Sequence, residues 1–158
     1  MKSKKSRDAC HAQKLLRRAL GYEELGQLEK AIDCSTKALK LDPIVGRAWN
    51  CIGVCHSKQG DDTKAIECYM RALEVDPRLL RPWVNLGNRY RSRGAPRAAL
   101  FCYAEATTLT PTEPEEWAMK GEAFRALNQE AEARRCVEEQ ERTSPNSRTA
   151  NKRPHESA

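Results

Sequence analysis

The chain has 158 residues, 39% of them hydrophobic and 32% charged, and a formal net charge of +6. No apolar run approaches the roughly 20 residues of a membrane-spanning helix. Seven cysteines, an odd number, with no apolar stretch behind the basic start Met1 to Asp8, argue against a secreted disulfide framework and for a cytoplasmic setting.

Residues 1–11 carry Lys2, Lys4, Lys5 and Arg7 against Asp8 and are expected to form a disordered basic tail. From residue 12 a strict period of 34 begins. Pro43, Pro77, Pro111 and Pro145 keep it, as do Cys34, Cys68, Cys102 and Cys136, and Trp49, Trp83 and Trp117. Such a period marks one supersecondary unit stacked on itself. The unit is legible between Arg47 and Pro77. Trp49, Ile52, Gly53 and His56 share one face of a first helix. Gln59-Gly60-Asp61 breaks it. Ala65, Ile66, Tyr69, Ala72 and Leu73 share one face of a second, which Asp76-Pro77 ends, because proline cannot continue a helix and pushes its predecessor out of the α region. The breaks fall at Gly26, Gly60, Gly94 and Asn128, the residue types that most easily adopt the left-handed conformation of a tight helix end. Ala31, Ala65, Ala99 and Ala133 are small where the two helices must approach. Each period is thus a pair of antiparallel helices, too short and too polar to bury a face alone. The last helix, Gln129 to Arg142, is so rich in charge that it reads as a terminal cap, closing a complete array. Residues 146–158 are almost without apolar side chains and are expected to be a disordered polar tail.

These residues resemble the tetratricopeptide repeat family. The third period matches its pattern almost throughout, with Trp83, Leu86, Gly87, Tyr90, Gly94, Ala99, Tyr103, Ala106 and Pro111. The second matches through Trp49, Ile52, Gly53, His56, Gly60, Ala65, Tyr69, Ala72 and Pro77. The first departs at Arg18 and Ser35, and the fourth at Lys120, Val137 and Gln140. The resemblance implies an all-α fold, a right-handed α-solenoid of four antiparallel helix pairs over residues 12–145, with repeats at 12–45, 46–79, 80–113 and 114–147.

The same resemblance implies a concave groove lined by the first helix of each pair. The groove candidates are Leu16 and Leu20 in repeat one, and Arg47, Asn50, Val54 and Lys58 in repeat two. Repeat three supplies Arg81, Asn85, Asn88 and Arg91, and repeat four Arg125. Across the two middle repeats the charged candidates are all basic, and arginine can grip a carboxylate through two parallel hydrogen bonds. Asparagine can both donate to and accept from a peptide backbone. The expected function is a non-enzymatic adaptor that binds an acidic peptide or helix. Its acidic groups would lie over the middle repeats and an apolar side chain toward Leu16 and Leu20. Replacing Arg81 and Arg91 together is then expected to weaken capture without lowering thermal stability. The two-carboxylate clamp of chaperone-binding members is not expected. In one frame its positions hold Leu16, Leu20, Cys51, Arg81 and Asn85, and in the other Asn50, Val54, Asn85, Glu115 and Met119.

Alternatives remain open: a self-associating structural solenoid, a subunit of a larger complex, or an association with nucleic acid through the basic ends. The first eleven residues contribute +3. Arg148, Lys152 and Arg153 against Glu156 give residues 146–158 +2, leaving the solenoid close to neutral. No aromatic-interleaved basic patch suits the stacking of bases. His11, His56 and His155 are the only histidines, and no nucleophile–base pair is suggested. No cofactor and no metal are expected. Cys51, Cys55 and His56 cluster on one helix, but a zinc site needs four ligands. The periodic cysteines read as small packing residues.

Overall fold

The computed structural model describes residues 4–144, which form eight helices and no strand. They are α1 (Lys4–Glu24), α2 (Leu28–Leu41), α3 (Gly46–Lys58), α4 (Asp62–Val75), α5 (Leu80–Ser92), α6 (Pro96–Thr108), α7 (Pro114–Ala126) and α8 (Glu130–Thr143). The starts of α2, α4, α6 and α8 are 34 residues apart, as are those of α3, α5 and α7. Pro145 and the tail over 146–158 lie outside the described residues.

The turns obey the conformational rule read from the sequence. Gly26, Gly60 and Gly94 have φ of 70°, 83° and 72°, and Asn128 reaches the same left-handed region at 59°. Between pairs, the Asp42 carboxylate accepts from the Ile44 backbone N–H at 3.3 Å and the Asp76 carboxylate from that of Arg78 at 3.0 Å. Each Asp-Pro step thereby folds the chain into the next helix. The Trp83 indole N–H donates to the Pro77 carbonyl at 2.8 Å, which gives two of the periodic residues a common purpose at the repeat junction. The Asp61 side chain caps α4 by accepting from the Lys64 N–H at 3.1 Å, and the Lys64 ammonium at 2.9 Å, with that backbone bond, holds its carboxyl below the ordinary range.

Burial follows the period. Ala31, Ala65, Ala99 and Ala133 are buried, as are Cys34, Cys68, Cys102 and Cys136. In the middle pairs an aromatic ring fills the space a glycine leaves. A Cβ on Gly53 would lie 2.6 Å from the Tyr69 ring, and one on Gly87 would lie 2.8 Å from the Tyr103 ring. The outer pairs lack such a ring: Ala19 and Ser35 are buried in the first, and in the last a Cβ on Gly121 would lie 3.4 Å from the Cys136 Cβ. In α8 only Ala133 and Cys136 are buried.

One boundary differs from the sequence reading. The expected N-terminal tail over 1–11 is helical from Lys4, so α1 runs eight residues beyond the repeat's phase. No glycine or proline interrupts residues 4–12, and adding residues to an existing helix is cheap once it is nucleated. Asp8 and Ala9 are half-buried there.

The arrangement has two layers. The backbones of α1 and α3, α3 and α5, and α5 and α7 approach closely, whereas among the described residues those of no two even-numbered helices do. Odd helices that touch while even helices splay apart can only curve the stack with the odd helices inside. The first helix of every pair therefore lines the concave face.

Candidate functional site

The concave face holds a concavity of about 440 Å³ that draws on all four pairs. Leu20, Glu23 and Glu24 come from α1; Arg47, Asn50 and Val54 from α3; Arg81 and Asn85 from α5; and Glu113, Glu115, Glu116 and Met119 from α7 and the loop before it. Of the eleven groove candidates, six meet here: Leu20, Arg47, Asn50, Val54, Arg81 and Asn85. The Asn85 amide donates to the Asn50 Oδ1 at 3.2 Å, a link between neighbouring repeats that uses part of both side chains.

The other five stand elsewhere. Leu16 is 3% exposed and packs with Ala12, Ala38, Val45 and Ala48 in the core, so the apolar patch expected at Leu16 and Leu20 reduces to Leu20. Asn88 accepts from the Tyr103 hydroxyl at 2.5 Å. Lys58 pairs with Glu23 at 2.5 Å, and Arg91 lies 3.7 Å from Glu122. Arg125 sits exposed in the last turn of α7.

The basic candidates are engaged within the fold. Each of the four basic candidates in the middle repeats faces a carboxylate from another pair. Arg47 and Arg81 both reach Glu113, each at 2.8 Å. Arg81 also lies 3.8 Å from Glu115 and 3.6 Å from Glu116, and its Nε is buried without a hydrogen bond. Glu116 is 8% exposed and further held by the Thr112 backbone N–H at 2.8 Å and hydroxyl at 3.0 Å. The concavity therefore contains five carboxylates, Glu23, Glu24, Glu113, Glu115 and Glu116, against two guanidiniums, Arg47 and Arg81, and the Lys58 ammonium beside Glu23. Its lining is net negative. Glu113 joins Arg47 to Arg81 and is the residue the sequence reading missed. It lies outside any helix face, and its partners are 66 and 32 residues away.

On the convex side, α4, α5 and α6 enclose an open apolar cleft of about 570 Å³ lined by Met70, Leu73, Trp83, Leu86, Tyr90 and Phe101. Phe101 is 59% exposed and meets the Trp83 ring edge-on, with centroids 6.0 Å apart.

The cysteines are free, and all but Cys10 are buried. Burial pushes the Cys68 and Cys102 thiols up to about 11, and Cys55 is held protonated by its hydrogen bond to Cys51 and by burial. Among the described residues no group of three or more potential ligands could hold a metal ion, and His56 lies 3.1 Å from the Gln59 Oε1. At pH 8, one thiol of the seven is expected to react rapidly with a disulfide reagent in the native protein, and all seven in denaturant. A second fast thiol would mean that the repeat interfaces open locally. The raised thiols also set a sign for stability. Folding favours their protonated form, so their contribution is full below pH 9 and is lost as pH rises toward 11.

Family models for the tetratricopeptide repeat match residues 12–44 and 46–79. Two crystal structures of MamA superpose with a TM-score of 0.57 each. One is 19% identical over 90% of this chain and 77% of its own, the other 20% identical over 88% and 80%. No curated protein matches. No helix among the described residues is long and apolar enough to cross a membrane. Residues 12–79 thus carry two tetratricopeptide repeats, and among the described residues the other two helix pairs continue the same 34-residue register and the same fold.

Proposed function

We propose that the chain is a non-enzymatic scaffold that holds a segment of a partner protein on its concave face, with basic side chains of that segment seated among the carboxylates. One observation carries this reading: the concavity is continuous over all four pairs and holds five carboxylates to two guanidiniums and the Lys58 ammonium. The basic groups that suggested an acidic ligand are already engaged within the fold. An acidic segment would have to displace Glu113 from two arginines before it gained a contact. A lysine or arginine meets Glu24, which is exposed, and Glu115, whose side chain is 70% exposed, at no such cost. Asn50 and Asn85 supply polar groups for a peptide backbone, and Leu20, Val54 and Met119 supply apolar surface.

The test is fluorescence anisotropy with a labelled lysine-rich peptide and a glutamate-rich peptide of equal length. The lysine-rich peptide is expected to bind, and more weakly as salt rises. Glu24→Gln with Glu115→Gln is expected to weaken it about tenfold, a loss of about 1.4 kcal/mol, with an unchanged circular dichroism spectrum. Preferential binding of the glutamate-rich peptide would restore the acidic-ligand reading instead.

A second reading, self-association, is favoured by the convex cleft, where Phe101 and Met70 are 59% and 46% exposed. Exposed aromatic surface beside an apolar cleft on one face suits a second copy of the same face. A light-scattering mass that rises with concentration, and falls back with Phe101→Glu, would establish it.

A further inference from the structure

We propose that the convex cleft enclosed by α4, α5 and α6 binds a quaternary ammonium group, presented as the trimethylated side chain of a lysine on a partner protein. The site is separate from the concave face and does not depend on what that face binds.

The walls of the cleft suit an organic cation. Trp83 and Phe101 stand nearly perpendicular, with an interplanar angle of 75°, and Tyr90 lines the same space. A cation is attracted to the face of an aromatic ring, and rings set at an angle let one cation meet more than one of them. The Trp83 ring is already fixed by the indole N–H bond to the Pro77 carbonyl at 2.8 Å, so it has little freedom left to lose on binding. Glu74 adds a carboxylate to the lining.

The other repeats show what these rings hold elsewhere. The aromatic position late in the first helix is Tyr22 in pair one, Tyr90 in pair three and Phe124 in pair four. In pair one the Lys30 ammonium lies 5.6 Å from the Tyr22 ring centroid. In pair four the Lys120 ammonium lies 5.9 Å from the Phe124 centroid and 6.0 Å from that of Trp117, the counterpart of Trp83. In pair three the positions in register with these two lysines are Ala98 and Leu86, and both line the cleft. The rings are present there and the cations are not. Phe101 changes in the opposite sense. Its counterparts are Asp33, Glu67 and Arg135, so the fold accepts a charge at that position, yet pair three places a ring there that is 59% exposed. An exposed ring gained where an internal cation is lost points to a cation from outside.

The methyl groups follow from the lining. An ordinary lysine ammonium carries three N–H donors that need acceptors. Lys120 finds one in the Leu109 carbonyl at 2.6 Å. The cleft is mainly apolar, and Glu74 is already paired with Arg71 at 3.0 Å. A trimethylammonium group has no donor to leave unpaired, so it loses less on leaving water. An open cleft takes the tip of a side chain carried on a polypeptide more readily than it encloses a whole small molecule.

The test titrates three glycine–serine peptides into the nitrogen-15-labelled full chain and follows backbone amide shifts. The peptides differ only at one central residue: lysine, trimethyllysine, or its isostere with carbon in place of the charged nitrogen. The trimethyllysine peptide is expected to shift amides of α4 and α6 around Met70 and Phe101, and to bind about tenfold more tightly than the other two. Phe101→Leu keeps apolar surface but removes the ring, and should lose about that tenfold; Phe101→Tyr should retain it. Neither change touches the core, since Phe101 is largely exposed. Equal binding of the uncharged isostere would overturn the cation site in favour of an ordinary apolar cleft. Shifts confined to α1, α3 and α7 would place the charge among the concave carboxylates and overturn the convex site. Choline binding as tightly as the trimethyllysine peptide would overturn the protein source in favour of a free small molecule. Absence of binding by all three peptides would overturn the proposal outright, and would leave the concave-face reading to its own lysine-rich probe.

Discussion

Replacing Tyr103 by alanine is expected to cost about 3–5 kcal/mol, the range for deleting a buried aromatic ring. Tyr103 is 1% exposed and is the largest fully buried side chain among the described residues. Its ring lies against Gly87, and its hydroxyl donates to Asn88 at 2.5 Å. The loss should fall unevenly. In a stacked array each pair contacts only its neighbours, so damage stays local. Amide hydrogen exchange should show α5 and α6 losing protection while α1 and α2 keep theirs; uniform loss along the chain would mean that the four pairs unfold as one cooperative unit. The same contact can be overfilled from the other side. Gly87→Ala puts a Cβ 2.8 Å from a ring that burial and a hydrogen bond hold in place, at an expected cost of about 1–3 kcal/mol. Combining Gly87→Ala with Tyr103→Leu should cost less than the two changes summed, because the smaller side chain returns the space the Cβ needs. Strict additivity would sink the claim that the glycine exists for the ring.

The second large effect is expected at Arg81. The sequence reading makes Arg81 and Arg91 equivalent groove cations, replaceable without loss of stability. The structure makes them different. Arg81 has a side chain 32% exposed and stands among Glu113, Glu115 and Glu116, whereas Arg91 is 58% exposed and has Glu122 at 3.7 Å. Arg81→Glu would place a fourth carboxylate among three, one of them buried. Removing one partner of a fully buried pair costs about 3–5 kcal/mol, and partial exposure reduces this to about 2–3 kcal/mol here. Arg91→Glu should cost less than about 1 kcal/mol. The comparison is made by urea unfolding at neutral pH. Repulsion among carboxylates is relieved by protonation, so the deficit of the Arg81 variant relative to the wild type should shrink as pH falls through the carboxylate range. Equal tolerance of the two substitutions would mean that Arg81 is a free groove cation after all.

How much of this could be read in advance depends on how far apart the interacting residues lie in sequence. The helices, their turns and their pairing were legible, because each depends on residues within one 34-residue period. A glycine or asparagine sits where φ must be positive, a proline where a helix must stop, and an alanine where two helices approach. The family followed from four repetitions of those local rules. The inner layer was also legible by phase, and six of eleven candidates do line one concavity. The errors share a cause. Leu16 was placed by helical phase alone, but the turn and loop that bring Ala38 and Val45 over it decided its burial. The sign of the groove was read within repeats, whereas it is set between them. Arg47 and Arg81 meet Glu113 only because the stack curves, and curvature follows from how side chains pack at the pair interfaces. The sequence by itself determined the repeating unit and its pairing of helices, because short-range conformational preferences act before any contact forms. Only the tertiary structure decided the charge of the concave face, because a Coulombic pair depends on distance in space, and residues 66 apart in the chain become neighbours only when four pairs stack.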